Sequence, residues 1–188
     1  METQIDSEGR VWYAAYSVEE VQRRPRRMVI DEQPGKDFLM VAVSSALLRT
    51  SHSPTSSSSF RTFLSLPVAL WIWKNTPFAV DANCYHAGGA LEQAVDIEEV
   101  SGQACIRCPL HRYVISIETG ESFYQPVEFE KCPQTGKMVP VPLPWKSKGV
   151  KQRPHLAKVE GQRVWISLVP RKQPVASDKY AVATLNRE

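Results

Sequence analysis

Apolar and polar residues alternate over short stretches along most of the chain, and Gly, Pro, Asn and Ser separate one stretch from the next. The alternation predicts strands over residues 10–16, 28–30, 38–43, 68–73, 78–80, 95–100, 103–108, 113–117, 122–127, 156–159 and 163–169. Turn chemistry falls between them at Pro34-Gly35, Asn75-Thr76-Pro77, Ser101-Gly102, Thr119-Gly120 and Glu160-Gly161. One helix interrupts the series. Ser17-Val-Glu-Glu20 has the capping-box spacing, so a short helix is expected over residues 17–23, with Pro25 stopping it. Many short strands, regular turns, one short helix and no internal repeat predict an all-β domain.

Three stretches break the pattern. Residues 44–66 are Ser-rich without a sustained period, which predicts a flexible insertion splitting a hairpin. Residues 130–155 are rich in Pro, Gly and Lys and predict an extended loop. Residues 171–188 predict a polar C-terminal tail, which leaves one domain over residues 9–170.

Composition narrows the class. With 43% hydrophobic and 23% charged residues in 188, the chain has the make-up of one globular domain. A formal net charge of +3 is too small an excess to argue for nucleic acid. The run Arg23-Arg24-Pro25-Arg26-Arg27 is short and Pro-interrupted, and a solvated turn is preferred over a phosphate-binding patch. The longest apolar run, residues 63–73, contains Ser65 and Pro67 and falls short of the ~18 residues a membrane span needs. Met1-Glu-Thr-Gln-Ile-Asp is polar and acidic, unlike a signal peptide. The expectation is a soluble, cytoplasmic monomer that binds neither membrane nor nucleic acid.

The chain has four Cys and four His, and Cys84, His86, Cys105, Cys108 and His111 lie close together in the sequence. In a reducing compartment, clustered Cys are metal ligands more often than disulfides. Two readings arise. Cys84, His86, Cys108 and His111 supply one Cys and one His from each of two loops, over residues 84–91 and 105–113, which suits a [2Fe–2S] cluster held by two thiolates and two imidazoles. Alternatively, Cys105 and Cys108 form Cys-x-x-Cys, and with Cys84 and His86 they would make a structural zinc site in a protein-interaction module. Cys105 also reads as a small buried strand residue. Cys132, His52 and His155 have no partner visible in the sequence.

The Cys84-x-His86 and Cys108-x-x-His111 pair resembles the Rieske family, as do Pro109 after the second Cys and the Thr119-Gly120-Glu121 turn. The stretch from Trp145 to Arg153 strengthens the likeness to the soluble Rieske-type ferredoxins of animals. The resemblance implies a β-sandwich or barrel base with an inserted cluster-binding subdomain, and one [2Fe–2S] cluster per chain. It implies that Cys84 and Cys108 bind one iron, and His86 and His111 the other. Gly89 and Leu110 stand where respiratory and photosynthetic members carry a bracing disulfide, and no membrane anchor is seen. With 77 residues after His111 (188 − 111), no oxygenase domain is expected. The implied function is an electron carrier without catalytic residues, serving an unidentified redox partner protein. Lys146, Lys148, Lys151 and Arg153 form a basic loop that could dock an acidic partner or simply be solvated.

Overall fold

The computed structural model describes residues 1–32 and 64–181. In chain order the elements are β1 (Thr3–Ile5), β2 (Val11–Ser17), α1 (Val18–Arg23), β3 (Arg26–Glu32), β4 (Leu64–Trp73), β5 (Thr76–Asp81), β6 (Ile97–Val100), β7 (Gln103–Arg107) and β8 (Val114–Ser116). There follow β9 (Glu121–Tyr124), β10 (Val127–Lys131), β11 (Met138–Pro142), β12 (Lys146–Val150), β13 (Pro154–Glu160) and β14 (Arg163–Ser167). Two 3-10 turns, Leu91–Gln93 and Ala176–Tyr180, complete the described chain. The all-β expectation holds.

Local sequence accounts for most boundaries. The Ser17 side chain accepts the Glu20 N–H, and the Glu20 carboxylate accepts the Ser17 N–H at 2.9 Å, so the capping box that opens α1 is complete. Lys74 and Asn75, at φ 49° and 64°, make the two-residue turn between β4 and β5. Two consecutive left-handed residues match the twist of a hairpin. The turn therefore comes one residue earlier than expected, and Thr76 and Pro77 belong to β5. Ser101 and Gly102, at φ 52° and 76°, close the β6–β7 hairpin in the same way.

Residues 130–155 are more ordered than their composition suggests. They hold most of the β10–β11 hairpin and the whole of β12. Pro140 and Pro142 lie two apart in β11, opposite Phe129 and Val127, while the Leu143 N–H donates to the Pro126 carbonyl at 2.8 Å. The prolines thus take the positions whose missing N–H the partner strand does not need. The polar leader also hides a strand, since β1 pairs with β2 from Thr3↔Tyr13 to Ile5↔Val11. The strand expected over 38–43 lies outside the described residues, as does the Ser-rich stretch over 44–63. Residues 64–66 of that stretch begin β4. β3 and β4 pair antiparallel out to Glu32↔Leu64, so residues 33–63 join neighbouring strands.

Seven strands form a sheet in the order β1-β2-β14-β13-β5-β4-β3, and five form a second in the order β12-β9-β8-β7-β6. The larger sheet curls, so that Val68 and Leu70 of β4 share a core with Val164 and Ile166 of β14. Val21 of α1 closes that core, together with Met28 and Ile30 of β3. The other face of β4 and β5, through Ala69, Trp71 and Val80, packs on Ala104, Ile106 and Ile115 of the smaller sheet. The Trp71 indole N–H donates to the Ala94 carbonyl at 2.9 Å, which ties this second core to the loop before β6. Cys84 and Cys108 sit in that inter-sheet core.

Residues 171–181 pack against the body instead of trailing from it. Ser177 is fully buried and Ala181 nearly so. Arg171 pairs with Asp81 at 2.6 Å, and Asp178 pairs with Arg153 at 2.8 Å. Arg153, placed by the sequence in a basic loop that is docking or solvated, is instead a buried structural residue, because its guanidinium is spent on Asp178 and on the Gln173 carbonyl.

Candidate metal centre

The four candidate ligands lie on two loops built alike. In the first loop the Cys84 carbonyl accepts the Gly88 N–H at 2.8 Å, and the Cys84 N–H donates to the Gly89 carbonyl at 2.8 Å. In the second the Cys108 carbonyl accepts the Arg112 N–H at 2.8 Å, and the Cys108 N–H donates to the Tyr113 carbonyl at 2.8 Å. Each loop turns on a left-handed residue four places after its Cys, Gly88 at φ 70° and Arg112 at φ 60°. The turn aims backbone N–H groups at sulfur. His86 and Ala87 donate to Cys84, and Leu110 and His111 donate to Cys108. Donors placed this way favour a thiolate, the form that binds metal.

The two thiols meet. The Cys84 thiol donates a hydrogen bond to the Cys108 sulfur, which holds the Cys108 thiol below its ordinary range and, with burial, pushes Cys84 up. Cys84 and Cys108 are buried, whereas His86 and His111 are exposed. The two imidazoles stand 5.0 Å apart between centroids, edge to face. The His86 ring also stacks on Tyr113 at 4.2 Å. Tyr113 in turn meets Tyr85, whose hydroxyl hydrogen-bonds Ser122 at 2.8 Å. Among the described residues no group of three or more Cys, His, Asp and Glu donors gathers around one point. The four candidates come as a buried sulfur pair and an exposed nitrogen pair.

Gly89 fits the space between the loops because it lacks a side chain. A Cβ there would lie 3.1 Å from the Cys108 sulfur and 3.0 Å from Leu110 Cβ. Residues 89 and 110 therefore face each other across the two loops, and neither carries sulfur.

Cys105 lies on the opposite face of β7. It packs with Val100, Val114 and Phe123 beneath Trp145, away from the Cys84–Cys108 pair. Burial pushes its thiol up to about 12, so it is an inert core residue. Strand alternation separates it from Cys108, and the Cys-x-x-Cys spacing makes no joint site. Cys132 repeats the loop pattern at the tip of the β10–β11 hairpin, with its carbonyl accepting the Gly136 N–H and its N–H donating to the Lys137 carbonyl. Thr135 stands where the second ligand loop has His111, three residues after the Cys.

Beneath the first loop lie residues that sequence reasoning did not single out for the site. The fully buried Gln152 accepts the Tyr85 N–H at 2.9 Å and donates to the carbonyls of Asp81 at 2.7 Å and Asn83 at 3.0 Å. Both ends of its amide are used on the strand entering the loop. Asp81 accepts from His155 at 3.1 Å, from Arg171, and from Ser177 at 2.7 Å. The Val169 N–H donates to His155 Nδ1 at 3.2 Å, so Nε2 carries the proton shared with Asp81 and the ring is neutral. No local motif marks these contacts, because the partners of Asp81 come from β13 and the C-terminal segment.

The network has a pH signature. Burial alone would raise the Asp81 carboxyl, but the bonds from His155 and Arg171 hold it at about 2. Its unfolded counterpart titrates near ~3.9, so its contribution is complete above that pH and is lost as pH falls towards 2. Burial lowers the His155 pKa, so acid below ~6.5 protonates the unfolded chain first and also favours unfolding. Asp81→Asn should cost about 3 kcal/mol near neutrality, since it leaves Arg171 and His155 without their buried acceptor. Urea unfolding at pH 7, 5 and 3 checks this: the gap to wild type should persist at pH 5 and narrow at pH 3. A gap independent of pH would contradict the role given to Asp81.

Residues 62–171 match the family model for soluble Rieske-type ferredoxin. The human Rieske domain-containing protein is 37% identical over 114 residues, covering 61% of this chain and 68% of that protein. The solved ferredoxin of Sphingomonas yanoikuyae B1 is similar to 55% of this chain and 76% of its own, at 18% identity and a TM-score of 0.34. The family match spans both candidate ligand loops and the Gln152 brace and implies an iron–sulfur cluster; no helix among the described residues is long and apolar enough to cross a membrane. The chain belongs to the soluble Rieske-type ferredoxins.

Proposed function

We propose that this chain is a one-electron carrier with one [2Fe–2S] cluster, in which Cys84 and Cys108 bind one iron and His86 and His111 the other. The observation that carries the reading is the sorting of the four donors into a buried sulfur pair and an exposed imidazole pair. A single ion needs three or four donors at one point, whereas a two-iron cluster takes two from each side. When bound, the cluster supplies one-electron redox chemistry, with a potential raised by imidazole ligation. The chain's own part is to hold and shield it. Backbone N–H groups of residues 86, 87, 110 and 111 stabilise the two thiolates. The inter-sheet core keeps water from the sulfurs, and the exposed imidazoles give a partner protein a short path to the iron they hold.

Chemical analysis of the protein as purified tests the reading. Two irons and two acid-labile sulfides per chain are expected. Zinc without sulfide would replace this reading with a structural zinc site.

A further inference from the structure

The C-terminal turn reaches the first ligand loop at one residue. The Tyr180 hydroxyl donates to the His86 carbonyl at 3.1 Å, and the Tyr180 carbonyl accepts from the Asn83 side-chain amide at 2.6 Å. Its ring covers Gly88, where a Cβ would stand 3.3 Å from the ring. One side chain and its main chain therefore touch the loop before, at and after His86. We propose that Tyr180 is a positioning residue that clasps the first ligand loop and sets the orientation in which His86 is presented. The proposal rests on the reading of His86 as a ligand, and it adds a residue beyond the family match, which ends at residue 171.

The clasp is anchored independently of the loop. Ser177 donates through its hydroxyl to Asp81 at 2.7 Å and through its N–H to the Lys151 carbonyl at 3.0 Å. It also accepts the Arg153 N–H at 3.0 Å. Asp178 takes Arg153 in a two-pronged ion pair at 2.9 and 2.8 Å. Ala181 is buried directly after Tyr180. The tyrosine is thus fixed from both sides, and its contacts with the loop act as a stop. Asn83, which the Tyr180 carbonyl holds, is itself engaged by Arg27 at 3.0 Å, and Arg27 pairs with Glu92 at 3.1 Å. The loop base is in this way tied to β3 as well.

His86 is gripped through its carbonyl by Tyr180 and through its ring by Tyr113. His111 meets the His86 ring edge to face. A loop held at a fixed angle is the preorganised arrangement that ligand geometry requires, and orienting partners of this kind tune a metal site without touching the metal.

The test uses the full chain as purified, with Tyr180→Phe, Tyr180→Ala and the exposed Lys172→Ala as control. Amide exchange in the 84–89 peptide is followed alongside the unfolding midpoint and the reduction midpoint potential. Loss of the hydroxyl bond in Tyr180→Phe should speed exchange roughly fivefold, and loss of the ring as well in Tyr180→Ala at least about tenfold, with Lys172→Ala unchanged. The potential should shift in the same order, measurably in Tyr180→Phe and most in Tyr180→Ala, a readout that a purely structural anchor would not move. Wild-type exchange in both Tyr180 variants would overturn the clasp. If Tyr180→Ala fails to fold, Tyr180→Phe decides by the same exchange readout. The exchange arm reads the loop whichever metal is bound, so a protein that carries zinc sinks the cluster reading and leaves this measurement standing.

Discussion

Cys108→Ser is expected to purify with less than about one-tenth of the wild-type iron, while Cys105→Ser should keep its full complement. The contrast follows from one strand. β7 ends at Arg107 and delivers Cys108 to the loop, where the N–H groups of Leu110 and His111 meet its sulfur and the Cys84 thiol lies in contact. Three residues earlier, Cys105 points to the other face, among Val100, Val114 and Phe123. Serine at 108 removes a donor that nothing nearby replaces. Serine at 105 leaves a hydroxyl in an apolar site, which costs about 1–3 kcal/mol of stability and touches no candidate ligand. Iron content per folded chain, read with circular dichroism as the folding control, separates the two. Equal iron loss in both variants would mean that Cys105 belongs to the centre.

Gly120→Ala is expected to be the most damaging small change outside the ligand loops. Gly120 has φ 74°, and a Cβ there would lie 1.9 Å from the Gln152 carbonyl oxygen, far inside contact distance. Its own carbonyl accepts the N–H groups of Lys151 at 2.8 Å and Gln152 at 3.0 Å, so moving the backbone apart breaks both bonds. Gln152 then shifts, and the first ligand loop loses the amide that holds Tyr85, Asp81 and Asn83. A cost of at least about 3 kcal/mol is expected, with iron content falling as well. Gly102→Ala is the matched control. Its φ is 76°, but nothing lies within 4 Å of its Cβ position, so it should cost only about 1–2 kcal/mol and keep its iron. Equal costs at the two positions would show that backbone conformation, and not the contact with Gln152, makes Gly120 necessary.

The candidate ligand loops are more legible in the sequence than the contacts that support them. The Cys84-x-His86 and Cys108-x-x-His111 spacings are local, because each loop is a single turn, and the resemblance they carry agrees with the family match. The capping box at Ser17 and Glu20 was legible for the same reason. What could not be read were contacts made at long range by residues with ordinary local signals. Asp81 and Arg171 are 90 positions apart, and Gln152 and Tyr85 are 67 apart. Arg153 belonged by composition to a basic loop, yet its partner Asp178 lies in a stretch whose polarity suggested a tail. That polarity is real, but it is spent inside the molecule. The β10–β11 hairpin was hidden by its prolines, whose alternate placement becomes visible only with the register known. Cys105 shows the converse, since a suggestive spacing was undone by the two-residue period of the strand that carries it.

The most direct test of the central claim is electron–nuclear double resonance at the nitrogen frequencies on the dithionite-reduced protein. The account predicts one unpaired spin per chain, coupled to two imidazole nitrogens assigned by His86→Cys and His111→Cys, each of which should remove one coupling. A reduced protein with no such spin, or a spin without nitrogen coupling, would contradict it.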